Sequence, residues 1–157
     1  MGDQPRPLMT RVGYLLNRIA LQVRQMAQEA LKPLGLIPPH MAVLATLLSE
    51  GPQTQRAMGT LLKIDPTTMV WLIDDLEKKG LVRRGKHPND RRAHLVELAP
   101  AGKTAFDRAA KRLSVLENHF LAPLSKIDRD HLRRILAKLY WHIPTQGISP
   151  TLFKTGD

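Results

Sequence analysis

The sequence predicts a mainly α-helical fold that carries one small two-stranded β hairpin. Two observations lead to this prediction. Apolar residues recur at helical spacing over most of the 157 residues, and glycine or proline ends these stretches. Residues 81–98 are instead rich in β-compatible residues on either side of a polar loop. The length is that of one domain, because single cores take about 100 to 200 residues.

The first predicted helix is apolar along one side, and the second is apolar nearly all round. The first covers residues 12–34, with apolar residues three and four apart, and ends at Gly35. The second opens at Pro38 and stops before Gly51. Because residues 41–48 are apolar nearly all round, we expect this helix to be buried on most sides.

The third and fourth helices have the clearest start signals. Thr54 is a suitable N-cap for a short helix, and Asp65 followed by Pro66 is the strongest helix start in the chain. Gly80 is expected to end the fourth helix. The residues predicted to face inward are Ala57, Met58, Leu61 and Leu62 in the third helix, and Met69, Leu72, Ile73 and Leu76 in the fourth.

The remaining elements are a hairpin and two further amphipathic helices. Residues 81–84 and 93–98 are predicted to form the two strands. A helix follows over residues 100–122, and a last one starts at Ser125, where Asp128 completes a pattern similar to a capping box. Three helices followed by a hairpin predict a winged helix-turn-helix, in which the second helix of the pair enters the major groove of DNA. The alternative is a helical bundle with an exposed hairpin.

Charge favours the DNA-binding alternative. The chain has 24 Lys and Arg against 14 Asp and Glu, a net charge of +10, which favours a polyanionic partner. Residues 83–92, on the loop expected to project from the domain, carry a net +4. The chain has no cysteine, which excludes disulfides, thiolate metal sites and thiol-based redox sensing.

Three segments resemble the MarR family of bacterial transcriptional regulators. They are the run from Asp65 to Val82, the Asn-Asp-Arg-Arg sequence at 89–92, and residues 98–102. Their order and spacing also match, and the resemblance spans residues 8–142. It implies a homodimer whose first, fifth and sixth helices interlock and whose winged lobes bind a palindromic double-stranded DNA operator. In many relatives that repress transcription, a small aromatic or phenolic ligand releases the DNA.

The resemblance also predicts the domain organisation. Residues 1–157 are expected to form a single MarR-type domain with N- and C-terminal dimerisation helices. Its parts are the winged helix-turn-helix lobe at 36–99, the dimerisation helices at 8–35 and 100–143, and a tail at 144–157.

The DNA-binding residues are predicted from the fourth helix, its neighbours and the wing. The fourth helix departs from the family pattern, which commonly has threonine and arginine at Val70 and Trp71, and a basic or neutral residue at Asp75. Val70 could pack on a thymine methyl group. Trp71 either contacts the DNA groove or is partly buried at the edge of the helix. The predicted DNA-binding residues are Thr54, Gln55, Lys63, Thr67, Thr68, Val70, Trp71, Arg83, Arg84, Lys86, Asp90, Arg91 and Arg92.

Other classes of site have less support. An effector is predicted near Asn17, Arg18, His40 and Met41. Histidines beside arginines in a loop are usually solvated, so no metal is predicted at His87, Asp90 and His94 or around His131. No cofactor or catalytic motif is recognised, so the protein is predicted not to be an enzyme. The alternative function is a winged-helix ligand-binding protein that has lost specific DNA binding.

Residues 1–10 lack the apolar run of a secretory signal, and the longest nearly apolar stretch, residues 41–48, is too short to span a bilayer. A cytoplasmic protein without a membrane partner is therefore expected.

Overall fold

The computed structural model describes residues 7–86 and 94–142. The chain divides into two compact units, Met1–Asn118 and His119–Asp157. The elements are α1 (Val12–Leu31), α2 (Pro38–Glu50), β1 (Gln53–Thr54), α3 (Gln55–Leu62), α4 (Pro66–Lys78), β2 (Val82–Lys86), β3 (His94–Leu98), α5 (Pro100–Phe120) and α6 (Lys126–His142), with short 3-10 turns at Pro7–Thr10 and Lys32–Leu34.

The first two helices form as predicted. After α1, the 3-10 turn ends at Gly35, whose φ of +64° is a left-handed conformation that glycine adopts without strain. Ile37 in extended conformation precedes Pro38, the first residue of α2. The expected burial of α2 is confirmed, because most of its apolar side chains are inaccessible.

Both predicted caps of the helix-turn-helix are present. The Thr54 hydroxyl accepts a hydrogen bond from the Ala57 N–H at 3.1 Å, and Asp65 Oδ1 accepts one from the Thr68 N–H at 2.9 Å. All four residues predicted to face inward on α4 are buried. Each cap satisfies a backbone donor that would otherwise lack a partner at the helix start.

The prediction for the inward face of α3 is wrong at two positions. Met58 is buried and Leu62 half-buried, but Ala57 and Leu61 are exposed, Leu61 to 61%. Positions 57 and 61 lie one residue, or about 100° around the helix, from the buried pair. The short α3 buries only a narrow stripe, so the neighbouring stripe stays in solvent.

The predicted hairpin of β2 and β3 is confirmed and gains a third strand. The strands are antiparallel in the order β1-β3-β2. Val96 on the central strand β3 lies opposite Gln53 of β1 on one side and opposite Arg84 of β2 on the other. The two residues of β1 carry no strand signal in the sequence. At the base of the hairpin, a Cβ on Gly102 would lie only 2.0 Å from the Leu81 carbonyl oxygen, so only glycine allows α5 to pack this closely.

The core of the first unit lies between α2, α3, α4 and the sheet. Its buried side chains include Leu31, Leu36, Val43, Leu44, Leu47, Met58, Met69, Leu72, Ile73, Leu76, Val82, Val96 and Ala109. Within residues 7–86 and 94–142, no single helix is long and apolar enough to cross a membrane; by length and composition alone, the pair Val12–Leu34 and Pro38–Glu50, bent by 74°, passes the same test.

In the second unit, the predicted cap at the start of α6 is confirmed. The Ser125 hydroxyl lies 2.6 Å from Asp128 Oδ2, and the Asp128 N–H donates to Ser125 Oγ at 3.2 Å. The predicted apolar stripe of α6, including Ile135, Leu136 and Leu139, is exposed to solvent.

Candidate nucleic-acid interface

The N-terminal half of α4 presents the side chains predicted to contact DNA. Thr67 and Thr68 are exposed, Val70 is 45% exposed and Trp71 is 55% exposed. Hydrogen bonds from the Thr68 hydroxyl and backbone N–H lower the pKa of Asp65, which keeps its cap ionised. The structure thus places these four residues together on the outward side of a firmly capped helix.

A concave surface lies between α3 and α4, the two helices of the helix-turn-helix. A cavity of about 550 Å³ opens there. Gln55 contributes to it, and its buried Nε2 has no hydrogen-bond partner within the described part of the chain. Lys63, exposed at the turn with a left-handed φ of +53°, adds a cation near the start of α4. The cavity is lined by Gln55, Arg56, Gly59, Thr60, Ile64, Pro66, Met69 and Val70.

Arg56 is a candidate that the sequence prediction missed. It is exposed on α3 and lines the same cavity as Val70. The available signal was its position two residues after the Thr54 cap, in the first turn of a helix that precedes α4.

Unlike Lys63, Arg83 and Lys86, Arg84 is only partly exposed to solvent. Its side chain is only 26% exposed, and its guanidinium is paired with both Asp74 and Glu77 of α4. Burial lowers the pKa of Arg84, but hydrogen bonds with Asp74 and Glu77 outweigh it and raise the pKa overall. Arg84 therefore joins the hairpin to α4 and has little of its charge available for a phosphate.

The neighbouring cations of β2 are accessible. Arg83 is 74% exposed, and its guanidinium contacts Glu97 on β3 at 2.7 Å. Lys86 is exposed at the end of β2, where the chain leads into the wing tip. The predicted wing residues Asp90, Arg91 and Arg92 lie outside the described residues.

A second cluster joins α4 to the first turn of α2. The His40 ring, fully buried, stacks against Trp71 with centroids 6.0 Å apart and planes 19° apart. His40 Nε2 lies 3.3 Å from Asp75 Oδ2, although it is not aligned for a hydrogen bond. The same carboxylate accepts a hydrogen bond from Lys79, which lowers the pKa of Asp75.

The residues predicted around an effector have different environments. Asn17 and Arg18 are exposed on α1, whereas His40 and Met41 are buried in α2. A separate open cavity of about 740 Å³ lies between α1 and α5; its lining includes Gln22, Met26 and Leu116. Within residues 7–86 and 94–142, no group of three or more His, Asp or Glu side chains is placed to hold a metal ion. His94 is exposed, and His87 and Asp90 fall outside these ranges.

Comparison with known proteins gives matches over the helix-turn-helix and over most of the chain. A model of the MarR family matches residues 36–94. The transcriptional repressor CouR, in a structure bound to a 23-mer DNA duplex, is 29% identical; the match covers 89% of this chain and 99% of CouR, with a TM-score of 0.80.

Two further structures are similar over nearly their whole length. CouR from Rhodococcus jostii RHA1, bound to p-coumaroyl-CoA, is 26% identical over 90% of this chain and 99% of that chain, with a TM-score of 0.74. A probable transcriptional regulator from Pseudomonas aeruginosa is 30% identical over 84% of this chain and 98% of that chain, also with a TM-score of 0.74.

Proposed function

Because the chain belongs to the MarR family of transcriptional regulators, we propose that it is a homodimeric repressor that binds a palindromic double-stranded DNA operator and is released by a small ligand. One observation carries the proposal of DNA binding. The outward side of α4 is exposed and capped, and the three carboxylates farther along this helix are all paired with cations of the same chain. An anionic helix would repel DNA, whereas this one has its acidic charge compensated.

The roles proposed for individual residues follow from their positions. Thr67 and Thr68, at the N-terminus of α4, suit contact with phosphate, because backbone N–H groups and the helix dipole favour an anion there. Val70 and Trp71 are placed one turn along, where apolar contact with thymine methyl groups discriminates between bases. Arg83 and Lys86 supply exposed positive charge toward the wing, which supports phosphate contacts on a neighbouring part of the duplex.

The alternative, a ligand-binding protein without specific DNA binding, drew support from Val70, Trp71 and Asp75 in α4, the proposed recognition helix. The structure weakens that support, because Asp75 is paired with Lys79 and lies against His40. Its carboxylate therefore does not present an uncompensated charge to a phosphate. Trp71 still departs from the family pattern, but an exposed indole can contact a base edge.

The homodimer is proposed from apolar surface on two helices. In the first unit, α1 exposes Val12, Leu15, Leu16 and Ile19; in the second, α6 exposes Ile135, Leu136, Leu139, Tyr140 and Trp141. Stripes of this kind usually mark a protein interface. A two-fold dimer would also match a palindromic operator, because each half-site then meets one winged lobe.

The effector is proposed to be a small aromatic or phenolic molecule near Asn17, Arg18, His40 and Met41. CouR, which is 26% identical, was crystallised with p-coumaroyl-CoA, a ligand with a phenolic group. We expect a ligand of this class to raise the melting temperature of the free protein and to weaken its binding to DNA. A ligand that raises the melting temperature without weakening DNA binding would contradict the proposed release of DNA by the ligand.

The decisive experiment is recovery of genomic DNA fragments by the purified full-length protein, followed by footprinting. We expect protection of one short palindrome, with an affinity that falls steeply as salt is raised. Salt-dependent binding to all fragments alike would contradict sequence-specific regulation. Absence of DNA binding by a protein that still binds an aromatic ligand would favour the alternative.

A further inference from the structure

Two positions at which the recognition helix departs from the family pattern meet at one buried side chain. Trp71 and Asp75 lie one helical turn apart on α4, and both lie against His40 of α2. His40 is 35 residues from Asp75 in the sequence and belongs to a different helix. This arrangement connects the surface proposed to read DNA with the interior of the lobe.

His40 is held in one orientation. Its Nδ1 accepts a hydrogen bond from the Ile37 N–H at 3.4 Å, and its Nε2 faces Asp75 Oδ2. A nitrogen that accepts a hydrogen bond carries no proton, so the ring is neutral with its proton on Nε2. Burial lowers the pKa of His40, which agrees with the neutral form. Because the ring is buried and its Nδ1 accepts a hydrogen bond, its rotation is restricted.

The His40 ring stacks against Trp71 but leaves much of the indole accessible. The two planes are within 19° of parallel, yet the indole remains 55% exposed. The exposed part belongs to the same outward side of α4 as the neighbouring Val70. The indole therefore combines a restricted orientation with a large accessible surface, a combination that favours selective contact with a partner.

We propose that His40 is a positioning residue for DNA recognition, whose ring holds the Trp71 indole in the orientation that contacts the bases. This inference rests on the proposed function, because it concerns the same α4 surface. His40 acts only through Trp71 and makes no contact with DNA itself. Without the ring, the indole would have to be ordered when DNA binds, and this ordering costs free energy. Loss of the ring should therefore weaken operator binding by about two- to tenfold. It should also broaden the base preference at the positions that Trp71 contacts.

Two substitutions at His40 separate the stacked ring from its polar contacts. His40→Phe keeps a flat ring without nitrogens, whereas His40→Gln keeps polar groups without a ring. Each full-length variant, together with Trp71→Ala and His40→Gln/Trp71→Ala, is used to select binding sites from a random DNA pool. Circular dichroism and size-exclusion chromatography check that all four remain folded and in the wild-type assembly state.

The proposal expects His40→Phe to select the wild-type site. It expects His40→Gln to lose preference at the same base pairs as Trp71→Ala, and the double variant to match Trp71→Ala alone. It is overturned if His40→Gln selects the wild-type site while Trp71→Ala does not, or if the double variant loses preference at further positions. A general structural role of His40 would instead weaken binding to all sites equally.

A measurement without DNA tests the positioning directly. The chain has two tryptophans, so Trp141→Phe leaves Trp71 as the single fluorophore. In this background, His40→Gln should increase quenching of Trp71 by acrylamide and lower its fluorescence anisotropy, whereas His40→Phe should change neither. Equal fluorescence in all three proteins overturns the proposal, whatever happens with DNA. If wild-type protein selects no site, the proposed function fails, while this measurement still decides whether His40 orders Trp71.

Discussion

Arg84 on β2 donates hydrogen bonds to Glu77 on α4 from both its backbone N–H, at 3.0 Å, and its guanidinium. The guanidinium also contacts Asp74, one turn earlier on the same helix. Two carboxylates on one face of α4 thus bind one side chain of the hairpin. This contact joins the hairpin to the recognition helix, and both elements are proposed to contact one DNA duplex.

Replacement of Arg84 should therefore destabilise the folded lobe. Arg84→Ala leaves Asp74 and Glu77 close together without their cation, and we expect the free energy of unfolding to fall by about 1–3 kcal/mol. Arg83→Ala is the matched control: the Arg83 side chain is 74% exposed, so the expected change is below about 0.5 kcal/mol. Urea denaturation measures both. Equal losses for the two variants would show that Arg84 is an ordinary surface cation.

Contacts on α4 should separate into those that position the protein and those that specify bases. Thr68→Ala should lower affinity by a similar factor for all operator variants, because a phosphate contact carries no sequence information. Val70→Ala and Trp71→Ala should instead change which base pairs are preferred. Binding selections measure this difference. If both apolar variants recover the wild-type site unchanged, base readout by this surface is refuted.

In the wing, Arg92 and Asp90 should have different roles. An arginine at this position of the family pattern suits a narrow minor groove, so Arg92→Ala should cost about 1–3 kcal/mol of binding and reduce the salt dependence by about one counterion per wing. Asp90 is expected to orient the loop or an arginine through a charge-assisted hydrogen bond.

Asp90→Ala should therefore weaken binding although it makes the protein more positive. Simple attraction by net charge predicts the opposite sign. Titrations of operator DNA at constant salt distinguish the two, and tighter binding by Asp90→Ala would exclude the orienting role.

His40 should make stability depend on pH in mildly acidic solution. Burial lowers its pKa below the ordinary value of 6.5, so the unfolded chain takes up a proton at a higher pH than the folded one. The stabilisation by neutral His40 is fully present above about pH 6.5 and is lost as pH falls from there through the folded pKa. Asp65 and Asp75, whose pKa values are lowered from 3.8, affect stability only in more acidic solution.

Denaturation midpoints measured between neutral pH and pH 5 test this prediction. Wild-type protein should lose stability over that range more steeply than His40→Phe, which cannot titrate at this position. Parallel curves for the two proteins would contradict it.

The exposed apolar stripe of α6 should be required for assembly. Leu136→Asp places a charge on this stripe, and we expect it to shift the protein from dimer to monomer, because burying an unpaired carboxylate in an interface is unfavourable. His131→Asp introduces the same charge at another exposed position on α6 and should leave the dimer intact. Light scattering coupled to size exclusion measures the mass. A dimeric Leu136→Asp protein would place the interface elsewhere.

The sequence alone determined the helices, their starts and the hairpin. The caps at Thr54 and Asp65 could be predicted because each joins a side chain to a backbone N–H only three residues ahead. The buried stripe of α4 could be predicted for a similar reason, since its period is a local property of the helix. These features depend on neighbours along the chain and need no knowledge of how the elements pack.

Only the tertiary structure decided which charged and aromatic side chains meet. Arg84 was predicted to contact DNA because its cationic neighbours in the sequence suit that role, but the return of β2 alongside α4 pairs it with Asp74, ten residues earlier. His40 faces Asp75 only because α2 and α4 pack in the same core. Such contacts depend on the relative placement of elements distant in sequence. Local spacing does not encode this placement, because it results from the burial of the whole apolar core.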